Sequence, residues 1–406
     1  MSKALYQKLS EIAEITMGQS PASSDCNDSG EGLPFYQGNA NFGFKHPTPS
    51  RYCTKPKKIA VAGDILFSVR APVGDVNIAN EECAIGRGLS AIKSIKASQQ
   101  YLYFFLQSYK KKWGKVQQGS TFEAVNKNDL AELNVFIPPL QEQKKIASVL
   151  SSIDKAIEKT EAIIVQTEKV KKGLMQQFLK KGIGHTSFKN TEIGEIPEEW
   201  NLGTLKNYSE HITKGATPTT YGFDWVEEGV LFLRNECVKE TGLSLKGSSF
   251  ISEEAHIAMK RSIINLGDIL ITITGNLGQC CIYDKGPQEA NINQHIARIR
   301  IIDNTLYPQF VRYFLNSDFM RKKYELIKTG LAYPQLSLKQ IQDIVIPIPS
   351  IEEQQKIVNI LSNFEKKIEV EQISLTRLQN LKKGLMQSFF TGKVRVKVDE
   401  DEVTQV

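Results

Sequence analysis

Six cysteines in 406 residues, none in a C-x-x-C pair, and five widely spaced histidines leave no zinc-site spacing to read. No apolar run approaches the ~20 residues that span a bilayer, and the polar start MSKALYQKLSE is no signal peptide. The phosphate loop G-x-x-x-x-G-K-[ST], the G-x-G-x-x-G fingerprint, H-E-x-x-H and the G-x-S-x-G elbow are all missing. So is any N-P-P-[FY] or D-P-P-Y segment of the kind that grips a flipped base in amino-methyltransferases. The missing phosphate loop argues against ATP binding by the chain itself, and no catalytic residue is legible. The expectation is a reduced, cytosolic, metal-free protein that binds rather than reacts.

What is present is ordinary globular composition, with 41% apolar and 24% charged residues in a chain too long for one core. A formal charge of +6 fits nucleic acid, and basic runs sharpen it: Lys55, Lys57 and Lys58; Lys110, Lys111, Lys112 and Lys115; Arg321, Lys322 and Lys323. Any one run is as readily a solvated face as a phosphate contact. Asp399 to Glu402 opens an acidic tail expected to be disordered.

The organising feature is an internal repeat. Pro138 to Phe178 aligns without a gap on Pro349 to Phe389, 211 residues on (353 minus 142), and KKGLMQ recurs from Lys171 and Lys382. Fainter blocks repeat upstream: EITMGQSP with HITKGATP, AGDILFSVRAPVG with LGDILITITGNLG, YLYFFLQS with FVRYFLNS. Each half is one domain followed by one long helix. In the first helix the apolar positions are Ile146, Leu150, Ile153, Ile157, Ile164, Leu174 and Phe178. In the second they are Ile357, Leu361, Phe364, Ile368, Leu375, Leu378, Leu385 and Phe389. Steps of four and three make a heptad seam, interrupted by Thr160, Thr167 and Lys171 and by Glu371 and Lys382. A rod of some 40 residues is roughly 60 Å long. Two matched seams can satisfy each other as an antiparallel coiled coil with a pseudo-two-fold axis.

The domains read as mixed α/β, with strands near Asp64 to Val69, Asp268 to Thr274 and Ile296 to Ile302. One amphipathic helix is expected in each, near Gln99 to Trp113 and Pro308 to Tyr324. Polar side chains in glycine-bearing loops are the candidate DNA contacts. In the first copy these are Gln19, Asn39, Asn41, Lys45, Lys57, Lys58, Arg70, Arg87, Lys111, Ser120 and Thr121. In the second they are Lys214, Thr217, Arg234, Asn235, Thr274, Asn276, Asn293, Gln294, His295, Lys328, Thr329 and Tyr333. Arg, Asn and Gln pair bidentately with guanine and adenine edges, although any single one is more often a turn former. The set persuades because scaffold positions match between copies while loop positions differ: Arg70 faces Thr274, and Arg87 faces Gln294. Different side chains on one frame imply two targets.

The helix entries IPPLQEQKKI and IPIPSIEEQQKI, the paired KKGLMQ, the paired GDIL and the lead TEIGEIPEEW (Thr191 to Trp200) together resemble the specificity subunit of type I restriction–modification enzymes. The likeness spans nearly the whole chain. It implies an α+β fold of two target recognition domains, at 1–137 and 185–348, joined by conserved helix regions at 138–184 and 349–392, with a tail at 393–406. It also implies a non-catalytic role. Each domain reads half of a bipartite, asymmetric duplex site. Two modification subunits with S-adenosylmethionine methylate adenine, and two restriction subunits with ATP and Mg cleave, in the prokaryotic cytoplasm. The first copy lacks a TEIGEIPEEW lead, and the chain's C-terminal end is available to take its place. The alternatives are a subunit of a related modification or defence assembly, and a non-specific coiled-coil nucleic-acid adaptor.

Overall fold

The computed structural model describes residues 6–116, 124–330 and 332–397. Its contacts divide the chain into two units, Met1–Ile163 with Glu371–Val406, and Ile164–Val370. The division cuts both long helices near their middles, so it does not follow the linear boundaries expected from sequence. Each unit holds one globular domain, the first part of the helix that follows it and the last part of the other.

In the first unit Tyr6–Lys8 pairs antiparallel with Asn134–Phe136, the strand before the long helix. An antiparallel sheet runs in the order Ala13–Met17, Leu89–Ser94, Ile65–Ser68, Val76–Ile78. A second sheet is built around the parallel pair Leu33–Tyr36 and Cys83–Ile85. The second unit repeats this plan with Thr213–Lys214, Ile296–Ile299, Ile269–Thr272, Cys280–Ile282 in one sheet. Its other sheet is built around the parallel pair Val230–Leu233 and Glu289–Ile292. The repeated Gly-Asp of GDIL explains itself here. Gly63 and Gly267 turn with φ of +90° and +97°, a region that suits glycine. Asp64 Oδ2 then accepts the Val61 N–H (2.9 Å) and Asp268 Oδ2 the Asn265 N–H (2.7 Å). Burial pushes the Asp64 carboxyl up, against the Val61 hydrogen bond. The motif builds the frame and does not touch the loops.

Helix α1 (Gln99–Val116) buries Tyr101 to Leu106 against the first core. Its counterpart is not one helix but two, α3 (Pro308–Leu315) and α4 (Asp318–Ile327). Ser317 accepts the Met320 N–H as the cap of α4. Asn316 is held by both main-chain groups of Cys280, at 3.0 and 2.7 Å.

The long helices are α2 (Leu140–Lys181) and α5 (Ile351–Phe389), of 42 and 39 residues. Ile146, Leu150, Ile357 and Leu361 are fully buried, Ile157, Ile164 and Phe389 nearly so. Ile153, Phe364, Ile368, Leu375, Leu378 and Leu385 are half-buried. Leu174 and Phe178 also pack only partly, while their neighbours Met175 and Leu179 are buried, as are Met386 in α5 and Phe390 just past its end. Near the end of α2 the buried stripe thus shifts by one residue, whereas at the end of α5 the expected Phe389 stays buried beside Met386 and Phe390. Each fully buried Leu or Ile contributes roughly 1.5–3 kcal/mol, more than an exposed ion pair.

Ion pairs set the direction and register within each unit. Lys382 Nζ lies 2.5 Å from Asp154 Oδ1, though off a hydrogen-bonding direction. In the second unit Lys171 Nζ donates to Glu365 Oε1 at 2.7 Å. Adding the repeat offset of 211 to Asp154 and Lys171 gives Glu365 and Lys382, so these are one antiparallel contact made twice. A second such pair closes the helix starts. Glu353 receives the Ile183 N–H, His185 Nε2 and Trp200 Nε1 at 2.9 to 3.0 Å. Its counterpart Glu142 receives the Arg395 guanidinium (2.7 and 2.9 Å) and the Val396 N–H (3.0 Å). Residues 393–397, expected as the start of a disordered tail, therefore carry a bound segment; the acidic residues beyond lie outside the described residues. Among the described residues no helix is long and apolar enough to cross a membrane.

Candidate nucleic-acid interface

In the second unit three loops meet at one end of the paired sheets. Asn293 N–H donates to Leu233 O (3.1 Å) and Ile273 N–H to His295 O (2.9 Å). Gly215 permits the closest approach, since a Cβ there would lie 1.8 Å from Ile292 O. The loop side chains form a chain of hydrogen bonds. Thr217 Oγ1 donates to Gln294 Oε1 (2.7 Å), and Gln294 Nε2 lies 3.1 Å from His295 Nε2. His295 Nδ1 meets Thr274 Oγ1 at 2.5 Å, and Asn235 Nδ2 donates to Thr274 O at 3.1 Å. Asn293 Oδ1 accepts the His295 N–H at 3.1 Å. With Gln294 donating to Nε2, the ring's proton sits on Nδ1 and points at Thr274, which frees the threonine hydroxyl to donate outward.

Beside this network the Arg234 guanidinium lies 5.0 Å over the Trp225 ring, which meets Phe232 edge-on. Thr329 pairs with Gln335 through both main-chain groups, and Gln335 bridges Thr274, so that turn abuts the network. Tyr333 at its tip is 76% exposed. Lys214 and Asn276 are exposed. Lys328 is engaged by Glu325 at 2.5 Å.

In the first unit a polar cleft of about 360 Å³ gathers Arg87 and Asn41 with Ser20, Gln37, Ser50 and Arg51. Gln19 anchors its rim, donating its N–H to Ile85 O at 3.0 Å. Arg70 is exposed and follows Val69, whose N–H donates to Gly88 O at 3.0 Å next to Arg87. Lys57, Lys58 and Lys111 are exposed. Two candidates lie elsewhere. Asn39 Nδ2 donates to Asp75 (2.8 Å), an aspartate also paired with Lys110, so this side chain is part of the frame. Lys45 lines a separate cleft with Phe104, Lys144 and Ser151. Ser120 and Thr121 lie outside the described residues. Ser20, Gln37, Arg51 and Trp225 join the site although nothing in the loop pattern singles them out. For Gln37 the repeat carries a signal: FYQG aligns with FLRN, which holds Arg234.

The family model for the type I restriction modification DNA specificity domain matches residues 3–169 and 197–380. The chain belongs to this family. Among specificity-subunit relatives, MjaX of Methanocaldococcus jannaschii is 46% identical over 168 residues, 41% of this chain and 40% of that protein. MjaVIII of the same organism is 29% identical, covering 73% of this chain and 70% of that one. EcoBI of Escherichia coli is 25% identical across 95% of this chain and 85% of its own length. The crystal structure of the S subunit from M. genitalium shares the fold with a TM-score of 0.60 at 17% identity, covering 95% of each chain. In this specificity-family chain the coiled-coil helices and two repeated domains seen above are thus the family's architecture.

Proposed function

We propose that the chain reads duplex DNA for a type I restriction–modification assembly, each recognition domain taking one half of a bipartite, asymmetric site. The observation that carries this is the contrast between frame and loops. The two domains share strand order and turn motifs, yet Arg70 and Arg87 on one stand where Thr274 and Gln294 stand on the other. On this reading the chain itself is non-catalytic. Two modification subunits supply S-adenosylmethionine and adenine methylation, two restriction subunits supply ATP, Mg and cleavage, and the assembly works in the cytoplasm of a prokaryote.

The test is to map N6-methyladenine in cells that carry the chain with its methyltransferase partner, against cells lacking the chain. One bipartite motif dependent on the chain is expected. Unspecific methylation favours the coiled-coil adaptor reading, and the absence of any methylation that depends on the chain overturns the type I assignment in favour of a related assembly or the adaptor.

A further inference from the structure

We infer that Gln37 and Arg234 hold the same position in the two readers and select one base each, Gln37 an adenine and Arg234 a guanine. The inference rests on the DNA-reading proposal and assigns two of its letters. Each residue directly follows the strand that pairs in parallel, Leu33–Tyr36 in one unit and Val230–Leu233 in the other. The next main-chain bonds also correspond, Gly86 N–H to Tyr36 O (2.9 Å) and Asn293 N–H to Leu233 O (3.1 Å). The offset of 197 (234 minus 37) equals that between EITMGQSP and HITKGATP (211 minus 14). The positions are therefore equivalent by strand, by hydrogen bond and by alignment.

Both side chains are held in place by their surroundings. The Arg87 N–H donates to Ser20 Oγ (3.3 Å), and that hydroxyl donates to Gln37 Oε1 (2.9 Å). Ser20 thereby fixes which way the amide faces, leaving Nε2 and one Oε1 lone pair to present. Those are the donor and acceptor that match adenine N7 and N6. Two glycines make room for it: a Cβ at Gly86 would lie 2.4 Å from Gln37 Oε1, and one at Gly88 2.5 Å from Gln37 O. Gln37 is exposed and lines the cleft that Arg87 shares. Arg234 is steadied differently, by the face of Trp225 at 5.0 Å. Among the described residues no carboxylate pairs with it. A planar fork without an internal partner fits guanine O6 and N7. Trp225 is then a positioning residue for the second reader.

The experiment maps N6-methyladenine in cells expressing the full chain with its methyltransferase partner, alongside methylation rates of the purified assembly on single-site duplexes. Gln37→Ala should lower the rate on the wild-type site about 5- to 150-fold and relax one adenine of one half-site only. Arg234→Ala should do the same at one guanine of the other half-site, and Trp225→Ala should relax that same guanine. Gln37→Glu, which keeps the shape and loses the donor, should match Gln37→Ala. Variants that melt and assemble like wild type but leave the motif unchanged overturn the inference. So does an equal loss on every sequence, or relaxation in both half-sites from one change. A wild-type assembly with no sequence motif at all would instead sink the DNA-reading proposal beneath it.

Discussion

Glu365 has three partners where its counterpart Asp154 has one. Lys171, the Arg312 guanidinium (2.5 Å) and the Tyr313 hydroxyl (2.8 Å) all donate to it. Burial pushes the Glu365 carboxyl up, but Arg312, Lys171 and Tyr313 together hold it below the ordinary carboxylate value. A carboxyl lowered in the folded state contributes stability that is complete above its unfolded value, ~4.3, and is lost as pH falls through the folded one. Glu365→Gln should therefore cost about 2–3 kcal/mol in urea unfolding at pH 7, because Arg312 is left buried without its partner. The figure lies below the ~3–5 kcal/mol of fully buried pairs because 26% of the Glu365 side chain is exposed. The gap from wild type should begin to narrow as pH falls below ~4.3 and close only below the lowered folded value; a gap independent of pH would show that shape, not charge, carries the contact. Such sites were half legible in sequence. Lys171 and Lys382 stood out as polar breaks in an apolar stripe, but the partner of each depends on a chain segment ~200 residues away. Asn39 misled for a related reason: its partner Asp75 lies in a different loop and has no sequence link to it.

At the level of elements, one serine shows why local pattern underdetermines structure. Ser108 and Ser317 align, yet Ser108 lies inside α1 with its hydroxyl on Phe105 O at 2.6 Å, while Ser317 ends α3's turn and caps α4. A serine inside a helix bonds backward to a carbonyl, and a serine at a cap accepts a forward N–H. What decides is Asn316, pinned to Cys280, where α1 has Gln107. Ser317→Ala should cost about 1 kcal/mol. Ser108→Ala should stay within about 0.5 kcal/mol, since interior back-bonding adds little. Equal losses in thermal melts of the two variants would refute the cap assignment. The long helices were legible because their heptad pattern runs for six turns or more without a competing signal. The shift of burial onto Met175 and Leu179 was not, because it depends on how the last turns meet the domain.

For the whole molecule, the repeat carried most of the fold, since two copies of one plan must share strand order. The loops escaped it because they are where the copies diverge. The seam also constrains a shorter chain. Helix α2 alone carries both Asp154 and Lys171, each half of the doubled contact. A fragment of residues 1 to about 195 should therefore pair with a second copy of itself, Asp154 of one against Lys171 of the other. Sedimentation should find a dimer, and methylation mapping with the partner should return an inverted repeat of one half-site. A folded monomer would rule out the equivalence of the two seams. The clasp at Glu142 leads further. Arg395 and Val396 bind the start of α2 as Ile183 and His185 bind the start of α5, and Gly392 packs on Phe136, the residue that pairs with Tyr6. The segment after α5 thus does for the first recognition domain what residues 183–200 after α2 do for the second: it clasps the start of the domain's own long helix and lies against that domain's edge strand.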